Sequence, residues 1–462
     1  DACRETQTPH RLFLESGLEH LVPLQHPDMD KWRDSLRHGL MSRFEETNII
    51  LTGGVDDIWQ NTENGNLIVA DYKSQANTKS LDAETYLSDA YKDGYKVQMD
   101  FYAYLLQQMG FEVEETNISK NLKQYHYKTE VPLPTKVMVV GIAKFAVQNI
   151  GETHNIPVST WVYPQTKAAG FYDFSIAKDI LDFFIENVGE YPFQKLANVQ
   201  SKTRFGGMEN AGNIFYFENS VTGNQEHKDL IAHEIAHQWF GNSASEIDWP
   251  HLWLSEGFAT YLTDLYILKS DGEAAFKNRL NEERNKVLDF YKVQQTPIVD
   301  TKTTNYMSLL NPNSYQKGAW VLHMLKNNVG EESFWEGVKT YYDFYKFKNA
   351  STTNFKNVMA QVSGKNLDVF FTQWLQKTGQ PKIKTTWIHG ASKLRIIIEQ
   401  LQENAFQFPL DLELIYSDGT SEIKTIEVTT KKEPFVVLTK DLDVKEINYD
   451  PNVNLLFEIA ND

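Results

Sequence analysis

The chain has 462 residues, a net charge of −17 and a pI near 5.2. Hydrophobic residues make up 41 % and charged residues 23 %, which excludes a mainly disordered chain and leaves room for about two to four domains. The acidic balance disfavours a protein that coats nucleic acid, and the single cysteine, Cys3, excludes an intramolecular disulfide framework or a cysteine-built metal cluster.

In chain order, residues 27–47 read as a polar, partly helical segment. Residues 48–58 (NIILTGGVDDI) read as a strand interrupted by two glycines, followed by an Asn/Gly-rich turn and a second strand, LIVADYK, from Leu67 to Lys73. Two apolar runs around such a turn predict a hairpin. Residues 81–109 read as a helix with apolar positions at Val97, Phe101, Tyr104 and Leu105. A boundary falls near 111–135, where the sequence is polar and ends in two prolines. Strand-like runs follow at 137–147 and 157–163. From about 174 to 380 the pattern is mostly helical, and from about 381 it alternates with period two, with Ser-Asp-Gly-Thr as a hairpin turn. No run approaches the roughly 18–20 apolar residues that span a bilayer. The first residues, DACRET, lack a basic-then-apolar leader, and the expectation is a cytoplasmic protein with no membrane partner.

The strongest chemical signal is HEIAH, His233 to His237. On a helix, positions four apart share a face, so the two histidines can bind one zinc while Glu234 points at a bound water. Glu256, in LWLSEGFATYL, is the candidate third ligand, giving a His2Glu site with water as the fourth ligand. Zinc lowers the pKa of its water, and Glu234 acts as general base on it. His227, His251 and His323 lack ligand spacing and read as surface or core histidines.

With these residues in place, about residues 121–462 resemble the zinc aminopeptidase family of aminopeptidase N. Besides HEIAHQWFGN and WLSEGFATY, GGMEN (Gly206, Gly207, Met208, Glu209, Asn210) is similar to that family's exopeptidase motif. SYQKGA (314–319) is similar to its catalytic-tyrosine segment. The resemblance implies that Tyr315 stabilises the oxyanion and that Glu209 receives the substrate's free α-ammonium group. The glycines of the motif let its backbone approach the peptide as an edge strand.

Residues 1–115 resemble the PD-(D/E)xK nuclease superfamily in its RecB-type branch. GGVD ends one strand with Asp56, ADYK ends the next with Asp71 and Lys73, Gln98 and Tyr102 form QxxxY on a helix, and His38 lies on the preceding helix. Two such carboxylates can hold Mg2+ or Mn2+ while the lysine orients the attacking water. This segment carries 11 Lys and Arg against 21 Asp and Glu through residue 120, a net charge of about −10, which opposes DNA binding.

The expected architecture is multidomain α+β. A nuclease-like α/β segment occupies 1–115, followed by a linker and remnant of a peptidase β-domain at 116–155. A thermolysin-like, mainly helical zinc peptidase domain spans 156–380, and a C-terminal β-sandwich spans 381–462. The expected function is zinc-dependent release of N-terminal residues from peptides with a free N-terminus, one Zn2+ per chain. Two alternatives stay open: a Mg2+-dependent DNA nuclease through Asp56, Asp71 and Lys73, and a non-enzymatic fusion or fragment with incomplete sites.

Overall fold

The computed structural model describes residues 2–15, 17–34, 38–43, 50–70, 93–113, 131–139, 141–390 and 392–460. The chain is a mixed helix-and-strand, multidomain protein that divides into two compact units, Asp1–Lys128 and Thr129–Asp462.

In the first unit, β1 (Leu21–Pro23), β4 (Asp57–Asn61) and β5 (Leu67–Ala70) form one antiparallel sheet. β2 (Leu40–Arg43) and β3 (Ile50–Gly53) form a separate pair. The expected 48–58 strand is therefore two strands in two sheets. The break has a steric reason at Gly53, where a Cβ would meet the Tyr102 ring at 2.6 Å. Gly39, at φ +104°, faces it so closely that a Cβ would lie 2.8 Å from the Gly53 carbonyl. The expected hairpin is present as β4–β5, closed by the Asn61 amide donating to the Asn66 carbonyl at 2.9 Å. Within 27–47, the described helix is short, α1 (Met29–Arg33), and β2 follows. The 81–109 helix is described as α2 (Asp93–Gln108); residues 81–92 lie outside the described set. Its buried stripe is Tyr102, Leu105 and Leu106, turned about one residue from the expected Phe101, Tyr104 and Leu105. That stripe packs with Trp32, Leu40, Ile58 and Leu67.

The second unit opens on a five-stranded sheet of order β6-β7-β8-β10-β9. Its strands are β6 (Ala146–Thr153), β7 (Ile156–Val162), β8 (Leu196–Gln200), β9 (Gly207–Met208) and β10 (Asn213–Tyr216). β6 and β7 are a hairpin, so the boundary expected at 155 cuts through paired strands, and β6 belongs to this sheet. The run expected at 137–147 contributes only its last two residues to β6. The 174–380 pattern also concealed β8 and β10, which pair in parallel. All five residues of β8 are buried, and a strand covered on both faces shows no period-two alternation.

Against the sheet lie α3 (Ala177–Asn187) and α4 (Lys228–Ala236); α5 (Trp253–Asp271) packs on α4, and α6 (Glu273–Val293) packs on α5. After them come α7 (Gly318–Val329), α8 (Glu331–Tyr345) and α9 (Thr352–Ser363). A short parallel pair, β11 (Ala244–Glu246) and β12 (Lys348–Ala350), ties the segment after α4 to the one after α8. α5 is buried on all sides from Trp253 to Ile267, with the carboxylates of Glu256 and Asp264 among its buried residues.

The tail is two sheets. One has order β17-β14-β13-β19, with β13 (Lys382–Gly390), β14 (Lys393–Gln400), β17 (Lys432–Leu438) and β19 (Glu458–Ile459). The other has order β16-β15-β18, with β15 (Phe408–Tyr416), β16 (Ser421–Val428) and β18 (Val444–Tyr449). The Ser-Asp-Gly-Thr turn joins β15 to β16, with Gly419 at φ +84°. Among the described residues, no helix is long and apolar enough to cross a membrane.

Candidate metal centre

The HEIAH segment forms the end of α4, with His237 immediately after its last residue, and Glu256 lies in the first turn of α5. Helical spacing turns both imidazoles to one side, and the packing of α4 on α5 brings the carboxylate to them. His233 Nε2 lies 3.1 Å from His237 Nε2 and 3.3 Å from Glu256 Oε2, and His237 Nε2 lies 3.1 Å from the same oxygen. Among the described residues, this is the one grouping of three such ligand atoms. Ligands about 2.0–2.1 Å from a tetrahedral zinc stand roughly 3.3 Å apart, so the three fit that ion. Phe240 carbonyl and Ser255 Oγ, each 3.1 Å away, occupy His237 Nδ1 and leave Nε2 for the metal.

Charge is concentrated here. Burial alone would lower His237, but the adjacent Glu256 carboxylate, with Glu209 and Glu234, raises it to about 10. His233 is lowered, chiefly by burial, and its bond to Glu256 only partly offsets this. Glu256 resists its own burial because both histidines hold its carboxyl well below the usual carboxylate range. The triad thus already favours a positive charge between its three groups, which is the charge a divalent ion brings. Glu234, buried beside them, is raised to about 8, first by burial and then by Glu209 and Glu256 against the opposing His237.

Gly207 explains where Glu234 points. β9 is the edge strand of its sheet, paired only to β10, and a Cβ at Gly207 would overlap the Glu234 carboxyl. The general-base candidate therefore lies flat against the backbone of GGMEN. Glu209 follows directly, its carbonyl accepting from Gln238 Nε2 at 2.7 Å and Asn242 Nδ2 at 2.5 Å. Gln238 Oε1 also accepts from the Gly212 amide at 2.9 Å. Met208 is half-buried in β9, and Asn210 is buried just after it. Sequence reasoning missed these supports: Gln238, Asn242, Ser255 and Gly241. Gly241, at φ +118°, sits where a Cβ would meet Ser255 Oγ. For Gln238, Gly241 and Asn242 the signal was their place directly after HEIAH, and for Ser255 its place next to Glu256.

Tyr315 lies in a π-helical turn, Asn313–Lys317, closed by the Lys317 amide on the Pro312 carbonyl at 2.8 Å. Its ring stands over His233 at 6.0 Å and 14°, and burial followed by the Glu256 charge pushes its phenol well up. This approach depends on Gly257 and Gly318, where α5 and the start of α7 cross so closely that a Cβ on either would meet the other's backbone at 3.0 Å. Two residues after Tyr315, the Lys317 ammonium is buried and donates to the Gly379 carbonyl at 2.9 Å; burial lowers it to about 8. His251 bonds Thr352 Oγ1 at 2.8 Å, His323 bonds the Val453 carbonyl at 3.0 Å, and His227 meets the Phe217 ring edge to face.

Among the described residues, the nuclease-like positions form no grouping of three ligand atoms. Asp71 and Lys73 lie outside the described residues. Asp56 does not end a strand; it lies in the bend between β3 and β4 and lines a cavity of about 580 Å³ with Asp30, Arg33, Asp34 and Val55. The buried carboxylate is its neighbour Asp57, which pairs with Arg4 and accepts from the Ile58 amide at 2.9 Å. His38 is not on a helix. It lies five residues past α1, before the Gly39 turn into β2, and its Nδ1 meets Asp34 Oδ2 at 3.1 Å. Gln98 Nε2 donates to Tyr102 OH at 2.7 Å, as residues one turn apart on α2 can.

Comparison with known proteins follows the same division. Residues 172–374 match the family described as "Peptidase family M1 domain", and residues 4–169 match the "PD-(D/E)XK nuclease superfamily". The second match runs past residue 128 into β6 and β7, which belong to the five-stranded sheet of the second unit. Human glutamyl aminopeptidase is 27 % identical over 320 residues, covering 65 % of this chain and 33 % of that protein. A probable aminopeptidase 2 from Sulfurisphaera tokodaii is 27 % identical over 325 residues, covering 65 % and 41 %. The chain thus spans about a third of the length of the first of these relatives. The crystal structure of Legionella pneumophila aminopeptidase A in complex with aspartic acid shares the fold at a TM-score of 0.60 and 17 % identity, covering 69 % of this chain and 38 % of that one.

Proposed function

With residues 172–374 a peptidase family M1 domain, we propose that the chain is a zinc-dependent aminopeptidase that releases N-terminal residues from peptides. The observation that carries this is the convergence of His233, His237 and Glu256 within 3.1–3.3 Å, beside a buried Glu234 lying against the GGMEN edge strand. His233, His237 and Glu256 would hold the zinc, which when bound supplies Lewis-acid polarisation of water and of the scissile carbonyl. The peptide runs along β9, and Glu209 takes its α-ammonium group, which selects substrates with a free N-terminus. Glu234 removes a proton from the attacking water and returns it to the leaving amine. The Tyr315 phenol, kept protonated by its surroundings, donates to the developing oxyanion. The two C-terminal sheets, whose inward residues Ile396, Ile398, Leu412 and Leu414 are all buried in one core, are read as a β-sandwich from 381 to 462.

Glu234→Gln is the test. Hydrolysis of aminoacyl chromogenic substrates should fall about 10²–10⁴-fold while zinc stoichiometry is kept; persistent hydrolysis would show that another group is the base. The superfamily match over residues 4–169 favours a second reading, a Mg2+- or Mn2+-dependent DNA nuclease acting through Asp56, Asp71 and Lys73. Its acidic segment opposes it, and the peptidase reading stands first.

A further inference from the structure

The helices that carry the ligand triad are joined by a buried charge cluster that the chemistry above leaves unused. Arg279, on α6, reaches both of them. Its Nε donates to Asp264 Oδ1 on α5, eight residues after Glu256. Its Nη1 lies 3.3 Å from Asp229 Oδ2 on α4, four residues before His233. Asp264 is fully buried, and Glu283, one turn along α6, stands 3.5 Å from the same Nε with its side chain 3 % exposed. Two buried carboxylates therefore converge on one guanidinium, whose planar fork has a further arm for α4.

The geometry gives this cluster a consequence at the metal. Asp229 lies one helical turn from His233, so a cross-link at Asp229 restrains that imidazole along and around the helix axis. Metal–ligand distances tolerate only about ±0.2 Å, so a small slide of α4 along α5 separates both histidines from Glu256. Lys228 and Asp271 also pair these helices, with side chains 26 % and 38 % exposed against 49 % for Asp229, so Arg279 shares the link between α4 and α5 and adds to it a buried anchor on Asp264.

We propose that Arg279 is a positioning residue for the metal centre. Through Asp229 and Asp264 it holds the helix bearing His233 and His237 against the helix bearing Glu256, and so sets the spacing of the three ligands. This rests on the zinc reading of the triad, and the experiment separates the two. Metal-stripped full-length chain is titrated with Co2+ alone, whose visible absorption reports ligand geometry and whose saturation gives affinity. Arg279→Met should weaken Co2+ binding about 10-fold and alter the spectrum, as loss of an outer support does at metal sites. Asp229→Asn should weaken it about 3-fold, and Arg279→Lys should recover part of the loss. Binding and spectra unchanged in Arg279→Met and Asp229→Asn, with only Tm lowered, would reduce Arg279 to a stability role. If Arg279→Met fails to fold, the Asp229 variant decides, since that side chain is 49 % exposed. A parent chain that takes up neither Co2+ nor Zn2+ would overturn the zinc reading, and this proposal with it.

Discussion

Among the described residues, the chain holds the candidate metal triad and the nuclease-like positions differently. His233 and His237 are fixed by one helix, and Glu256 by a second helix buried along most of its length. Their ligand atoms end 3.1–3.3 Å apart. In the N-terminal unit, Asp56 lies in a bend, His38 in a turn facing Asp34, and Gln98 faces Tyr102. A helix repeat dictates direction as well as spacing, so two ligands four residues apart already share a target. Residues drawn from separate strands and loops meet only if the strands pair in the right order. Here the expected first strand splits between two sheets.

The contrast can be broken most directly by crossing two substitutions. Glu234→Gln should remove aminopeptidase activity by about 10²–10⁴-fold and leave any Mg2+-dependent DNA cleavage untouched. Asp71→Ala should abolish that cleavage and leave zinc and peptide hydrolysis unchanged. Should the parent cut no DNA with Mg2+ or Mn2+, the N-terminal unit is nuclease-like in sequence family alone.

Gly207→Ala sharpens the comparison on the zinc side. A methyl group there collides with the Glu234 carboxyl, which can swing aside, so the fold survives while the base is misplaced. A displacement of about 1 Å costs up to about 10²-fold, and kcat should fall by roughly that order with KM little changed. A parent-like kcat would separate Glu234 from the edge strand. Gly318→Ala is expected to act on stability instead, because the obstacle is the backbone at Gly257 and neither helix can yield locally. Overpacking of this kind costs about 1–3 kcal/mol, to be read as a lowered Tm, with catalysis reduced as Tyr315 withdraws from Glu256.

Lys317 offers a test read on stability alone. Burial lowers its ammonium to about 8 in the folded chain, below the value of about 10.4 when unfolded. Between those values the unfolded state binds more protons, so this group's contribution to stability rises with pH across that window. Relative to Lys317→Met, the parent should gain stability from pH 8 to 10, by denaturant titration at each pH. Parallel curves would mean that the ammonium is not perturbed.

Much of the candidate metal site was legible because helical periodicity is local. HEIAH and WLSEG specify two helices, and the positions of His233, His237, Glu234 and Glu256 follow from 3.6 residues per turn. The alternating tail from 381 was legible for a similar reason, since a sheet with one covered face writes its period into the sequence. β8 was not, because both of its faces are covered and its residues are uniformly buried. Neither was the break at Gly53, which depends on the ring of Tyr102, about fifty positions away.

By itself, then, the sequence determined which side chains could bind a metal and on which helical face they stand. Only the tertiary structure decided that α5 delivers Glu256 to the two imidazoles, that Gly207 lays its backbone on Glu234, and that Gly257 and Gly318 let Tyr315 approach. Those contacts join residues from 19 positions apart, His237 and Glu256, to 61, Gly257 and Gly318. Their distances are set by the packing of helix on helix and helix on edge strand, and no local periodicity encodes that packing.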